Sequence, residues 1–372
     1  MVDANADVRA DLLTVLARVP DPRDPRGVRF PLVGMLAVAV SAVLAGAKSF
    51  AAIGEFAADL DTVQLGRLGL GKAPVESTLR KLFARLDAAA LDVALAVYAW
   101  CQVRQIGGRR VIAIDGKTLR GARTAERTAP HLIAALDHAT GVVLGQNQVE
   151  AKSNEIPAVR DLLTGFDPCD LRGCVITVDA MHTQDDTAAT ILDAGADYVF
   201  TVKANRPTLL SALKKLPWNK VPVGSRTTQL GHGRRATRTI KVIDLPMLPD
   251  WPEFVGVAQV AQLRRTVTKN GKKSVEVVYL ITSASHHDAQ PATLAAWVQG
   301  HWGIENRVHW VRDATFDEDR SQVRTGVLPR IMASLTNTAI SILRLTGRSN
   351  IAAATRHHSR NPERAITCAL TW

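Results

Sequence analysis

"RVIAID" at residues 110–115, "HLIAALDH" at 131–138 and "GVVLGQNQVE" at 141–150 decide the fold. Each is a short apolar run bounded by polar stretches of turn length, which is the pattern of antiparallel strands. Downstream, helix and strand patterns alternate. A helix is expected over "NEIPAVRDLLTGF" (154–166), a buried strand over "CVITVDA" (174–180) and a helix over "DDTAATILDAG" (185–195). A strand over "DYVFTVKA" (197–204) and a helix over "RPTLLSALKKL" (206–216) complete the series. Three antiparallel strands followed by βαβ units is the order of a ribonuclease H-like fold, an α/β mixed sheet with flanking helices.

Upstream, from Ala10 to about Gln105, apolar residues recur at helical spacing, so an all-helical unit is expected. Pro31 starts one helix, and "APVEST" (73–78) caps another over "LRKLFARLDAAALDVALAVYAW" (79–100). The stretch "PDPRDPRGVRFP" (20–31) is too rich in proline for helix or sheet. It reads as a solvated linker or as an arm that contacts phosphate. Between Trp218 and Ser283 the chain turns β-branched and basic, a strand-rich insertion with an Asn270–Gly271 turn. "QPATLAAWVQGHWGIENRVHWVRDATF" (290–316) reads as a helix or a broken helix pair. The expected division is a helical N-terminal unit at 1–106, a catalytic domain at 107–217 and 284–346, the β-rich insertion at 218–283 and a basic helical tail at 347–372.

Composition narrows the function. The 372 residues are 47% hydrophobic, enough for a large core, and 46 Lys+Arg face 35 Asp+Glu, a net charge of +11. Such a surplus attracts polyanions, which makes nucleic acid the leading partner. From Arg320 onward eight arginines face a single acid, Glu363. Cys101, Cys169, Cys174 and Cys368 form no CxxC pair, which argues against a disulfide scaffold and a structural zinc site. The longest apolar run, Leu32 to Gly46, falls short of the roughly 18–20 residues that span a bilayer. It is expected to be a buried helix in a soluble, cytoplasmic protein with no membrane partner. "GRLGLGKA" (66–73) nearly matches a phosphate-binding loop, but Ala73 replaces the metal-binding hydroxyl and no strand precedes it.

Three acids carry the chemistry. Asp115 follows the apolar strand "VIAI" and Asp179 follows "CVITV", so both stand where a sheet opens to solvent. Alone, each reads equally well as a turn residue. Glu305, in "HWGIENRVHW" (301–310), sits in a segment too aromatic for an ordinary exposed acid. Three carboxylates from two strands and a helix would hold two divalent cations by hard oxygen donors, favouring Mg2+ with Mn2+ able to substitute. Lys152, Asn154 and Glu155 could contact DNA or order the metal site, or simply cap a helix start. Lys203 and Asn205 end the strand after Asp179 and point to the same edge. His182 and Gln184 are expected close to Asp179. Trp302 and Trp310 flank Glu305 and could stack on an unpaired base or pack a helix on the sheet. Lys117 and Arg234 complete the expected DNA contacts.

The linked series "IAIDGKTLRGA", "HLIAALDHATGVVLGQNQVEAKSNEIPAVRDLL", "VITVDAMHTQ", "GADYVFTVKANRPTL", "GHGRRATR" and "HWGIENRVHWVRDATFDEDRSQVRTG" resembles the DDE transposases of bacterial insertion sequences, specifically their ISAs-one family. The resemblance covers nearly the whole chain. It implies that Asp115, Asp179 and Glu305 are the catalytic, metal-binding triad, and that Arg312, seven residues after Glu305, holds a phosphate of the DNA end. It further implies binding of terminal inverted repeats, nicking by an activated water, and attack of the freed 3′-hydroxyl on the other strand or on target DNA. A homodimer on DNA and a bacterial cytoplasm, with nucleoid association when bound, are implied by the same resemblance. The chain departs from the family pattern at Gln299, at Arg235–Ala236 and at Arg312–Asp313–Ala314, none of which removes a metal ligand. Two rivals share the fold: a DNA-binding protein that no longer transposes, and a nuclease that cuts without joining.

Overall fold

A computed structural model describes residues 11–104, 109–150, 154–231, 233–245 and 251–371. It divides into two compact units. One holds Met1–Gly108, Gly116–Asn154 and Ile304–Trp372; the other holds Arg109–Asp115 and Glu155–Gly303. The strands are β1 (Val111–Thr118), β2 (His131–Asp137), β3 (Val143–Gln148), β4 (Val175–Val178), β5 (Asp197–Val202), β6 (Ser225–Gly231), β7 (Arg234–Asp244), β8 (Gln259–Lys269) and β9 (Lys272–Thr282).

The second unit is built on a mixed sheet in the order β1-β4-β5-β9-β8-β7-β6. Its β1, β4 and β5 run parallel and the rest antiparallel. "VITV" of β4 is buried throughout, as a parallel strand covered on both faces must be. With the helices Glu155–Thr164, Asp185–Asp193 and Pro207–Lys215 between its strands, this is the ribonuclease H-like α/β arrangement that the sequence predicts. The helix Pro291–His301 packs on one face through Leu294 and Trp297, against Val111, Val175, Val199 and Leu280. The insertion is four antiparallel strands, and the β8–β9 turn is the expected Asn270–Gly271, with φ of 49° and 73°. Both residues of such a turn need positive φ, which Asn and Gly adopt at little cost.

The first unit is mainly helical. Leu32–Leu44 is buried almost all round, so it is a core helix, as its unbroken apolar run demands. The single helix expected over 79–100 is two, Glu76–Phe83 and Ala88–Arg104. Asp87 makes the break by accepting from the amides of Ala89 and Ala90, which caps the second helix. The 20–31 segment is held by its own side chains, with Arg23 paired to Asp21 and donating to the Phe30 carbonyl at 2.8 Å. Ile351–Ser359 and Pro362–Thr371 form helices beside the arginines of the C-terminal stretch, and Ile351, Ala354, Ala365, Ile366 and Ala369 join the core around Leu32–Leu44. β2 and β3 form the hairpin read from the sequence.

One close approach in this unit is sharp enough to test. A Cβ on Gly121 would stand 2.4 Å from the Glu318 carbonyl oxygen and 2.7 Å from the Ser321 amide nitrogen. Both are backbone atoms and cannot swing aside. Gly121→Ala is expected to lower stability by about 1–3 kcal/mol, read as a lower midpoint of denaturant unfolding.

Candidate active site

In the second unit, β1 and β4 pair with Ile114 opposite Val178, so the next residues, Asp115 within β1 and Asp179 after the end of β4, follow the last pair of two adjacent parallel strands. Adjacent strands lie about 4.8 Å apart, which puts two carboxylates side by side at one sheet edge. Asp115 is partly buried and Asp179 exposed. The His301 imidazole, with Nε2 3.6 Å from Asp179 Oδ1, is the main influence holding the Asp179 carboxyl below the ordinary carboxylate range. Lys203 and His182 add to it by charge, against the opposing effect of burial. Asn205 donates from Nδ2 to the Ala180 carbonyl at 2.7 Å, fixing the turn after Asp179. His182 is buried, with Nε2 3.5 Å from Glu155 Oε2. Lys203, Asn205 and His182 thus gather around Asp179, while Gln184 precedes the next helix along the chain and donates from Nε2 to the Met181 carbonyl at 3.2 Å. Lys152 lies outside the described residues.

In the first unit, Glu305 opens a π-helical turn, Glu305–His309, within the broken helix that the sequence suggests. Single π turns inside helices are frequent at functional sites. Ile304 and Val308 are buried and anchor the turn, while Glu305 is exposed. His309 is buried, with Nδ1 3.7 Å from Glu305 Oε2. Burial, reinforced by the charges of Arg312, Lys117 and His131, pushes its pKa down to about 3. The ring is therefore neutral at physiological pH.

Two expected DNA contacts in this unit are engaged elsewhere. Arg312 is fully buried rather than facing solvent. Its Nε and Nη2 donate to Glu318 Oε2 at 2.9 and 2.7 Å, and its Nη1 to Asn337 Oδ1 at 3.4 Å. A guanidinium so enclosed has no face for a phosphate. Lys117 is paired with Asp313 at 2.7 Å and is largely buried. The Arg312 bonds continue inward: Asn337 Nδ2 donates to Gln146 Oε1 at 2.7 Å, and Gln146 Nε2 to Asp92 Oδ1 at 2.8 Å. Arg330 Nε closes the chain on Asp92 Oδ2 at 2.7 Å. Sequence reasoning missed Asp92, Gln146 and Asn337; of the three only Asp92 carries a signal, as an acid inside the apolar run "AAALDVALAV" (88–97).

Both tryptophans are exposed, Trp302 at 63% and Trp310 at 64% relative accessibility, so neither serves as core packing. In the insertion, Arg234 stands opposite Lys269, and Lys269 opposite Lys272, a row of three cations across three strands.

Residues 106–342 match the family described as the transposase DDE domain, and residues 13–100 match the domain associated with it. The chain belongs to the transposase DDE-domain family. "Putative transposase YncI" of Escherichia coli O157:H7 is 33% identical over 349 residues, 90% of this chain and 87% of that protein. "H repeat-associated putative transposase YhhI" of Escherichia coli K12 is 31% identical over 89% of this chain and 90% of that protein. The piggyBac transposase in a synaptic complex with hairpin DNA aligns at 12% identity and a TM-score of 0.46, over 96% of this chain and 77% of that one. Membership makes this transposase-family chain a nucleic-acid-processing enzyme. Among the described residues no helix is long and apolar enough to cross a membrane.

Proposed function

We propose that this chain binds the terminal inverted repeats of an insertion sequence and catalyses metal-dependent DNA strand cleavage and strand transfer. The observation that carries the reading is the register of β1 on β4, in which Asp115 and Asp179 follow directly on the last pair, Ile114 opposite Val178. Hard, charged oxygen donors so spaced suit divalent cations, and in this reading Glu305 supplies the third carboxylate for two Mg2+ ions, with Mn2+ able to replace them. A metal held there would supply activation of the attacking oxygen and stabilisation of the leaving one. The chain's own residues do the rest. Lys203 and Asn205 border the Asp179 end, where the strand to be cut would lie. In this reading the indoles of Trp302 and Trp310, both exposed, stack on an unpaired base at a distorted DNA end. Transposition unites two ends, so the enzyme acts as a homodimer on double-stranded DNA, in the bacterial cytoplasm and on the nucleoid when bound.

The phosphate contacts belong to the insertion, where Arg234, Lys269 and Lys272 line up across the sheet. Each phosphate neutralised adds about 0.9 to the slope of log K against log salt. The Lys269→Gln, Lys272→Gln double variant is expected to flatten that slope by about 1.8 in fluorescence anisotropy with an end-bearing duplex. An unchanged slope removes this row from the interface. The function itself is tested by incubating the protein with labelled duplexes carrying the element's ends and resolving hydrolysis from joined products. Cutting without joining would make it a nuclease; binding without cutting would make it a non-catalytic DNA-binding protein.

A further inference from the structure

The dipeptide His–Trp occurs twice around Glu305, at 301–302 and 309–310. In each unit the histidine lies beside one acid: His301 Nε2 is 3.6 Å from Asp179 Oδ1, and His309 Nδ1 is 3.7 Å from Glu305 Oε2. Both separations are too long for a hydrogen bond. They are close to the spacing of two donors that share one ion.

His301 is the better oriented of the two. Its Nδ1 lies 3.1 Å from Thr177 Oγ1, and the Thr177 hydroxyl donates to the Ile112 carbonyl at 3.3 Å. With its proton directed there, the hydroxyl oxygen is left to accept from Nδ1–H of His301. In the tautomer that binds a cation, the ring carries its proton on Nδ1 and turns the Nε2 lone pair toward the ion beside Asp179. Thr177 is buried, two residues before Asp179 on the same strand face, and His301 ends the helix that covers that face. Strand and helix therefore fix the ring from both sides. An imidazole whose far nitrogen is tied to an acceptor while its near nitrogen faces a carboxylate is how metal-binding histidines are prepared.

We propose that His301 is a nitrogen ligand of the divalent cation held at Asp179, with Thr177 as its positioning residue. This rests on the metal reading of the carboxylates given above. A nitrogen donor in an otherwise oxygen-lined site favours Mn2+ over Mg2+, because imidazole suits transition metals better than it suits magnesium.

The probe is Mn2+ alone, titrated into the full-length protein, with pulsed electron paramagnetic resonance reading 14N modulation from a coordinated imidazole. The wild type is expected to show that modulation. His301→Gln is expected to lose it while still binding Mn2+, and His309→Gln to keep it. Thr177→Val removes the acceptor and should weaken Mn2+ binding by about 10-fold or more. If His301→Gln fails to fold, the wild-type spectrum and Thr177→Val still decide. Mn2+ bound without nitrogen modulation, or modulation unchanged in His301→Gln, overturns the assignment of His301 and leaves the carboxylate site standing. A wild type that binds no Mn2+, or binding untouched by Asp179→Asn, overturns the metal reading itself.

Discussion

Asp115→Asn is expected to lower the rate of DNA strand cleavage by at least about 10³-fold while leaving the affinity for end-bearing DNA within about 2-fold of wild type. The amide keeps the volume and shape of the carboxylate but removes the charge that would draw a divalent cation to the edge of β1 and β4. A 10³-fold loss corresponds to about 4 kcal/mol of transition-state stabilisation, which is the scale on which metal ions act in phosphoryl chemistry. Asp115 stands in β1 just past its last pairing with β4 and is only partly buried, so the variant should fold. The checks are single-turnover cleavage of a labelled duplex and, separately, equilibrium binding in chelator. Cleavage within 10-fold of wild type would remove Asp115 from the metal site.

Arg312→Ala is expected to act on stability rather than on DNA affinity. The substitution strands the Glu318 carboxylate, whose side chain is 13% exposed, and takes a donor from Asn337. Removing one partner of a buried ion pair costs about 3–5 kcal/mol. For a unit of this size that is a fall of roughly 10 °C in Tm. Arg312→Lys keeps the charge but not the two-pronged donation to Glu318, and should fall between the two. Calorimetry, with DNA binding measured below the unfolding transition, separates the roles. Unchanged Tm with weakened end binding would contradict the buried assignment and restore Arg312 as a phosphate contact.

That residue also shows where sequence reading reaches its limit. Seven residues is two α-helical turns, which places Arg312 on the face of Glu305 in an unbroken helix. The intervening π turn takes up an extra residue and rotates the helix beyond it, and periodicity cannot register that rotation. Asp87 is a similar case, because a cap inside an otherwise apolar run leaves the helical period intact while dividing the helix. The legible features are those that depend on local chemistry. "VIAI" and "VITV" are strands because β-branched runs of that length bury well in a parallel sheet, and Asn270–Gly271 is a turn because its positive φ suits those residues. The neighbouring positions of Asp115 and Asp179, just past the last pair, are a consequence of those strands. The Asp92–Gln146–Asn337–Arg312 chain is not legible in the same way, because it depends on which helix faces which strand. Lys117 belongs with it: its partner Asp313 is 196 residues away, and only the fold brings the two together.

Whether this chain cuts and joins DNA by a metal held on its carboxylates is decided most directly by one incubation. Labelled duplex carrying the element's own terminal repeats and flanking DNA is mixed with wild-type protein in Mg2+, in Mn2+ and in chelator, and resolved on a sequencing gel. Nicks at the repeat boundary in both metals, none in chelator, and a slower-migrating strand-transfer product are the predicted result. Tight binding to the repeat with no cut in either metal would contradict it.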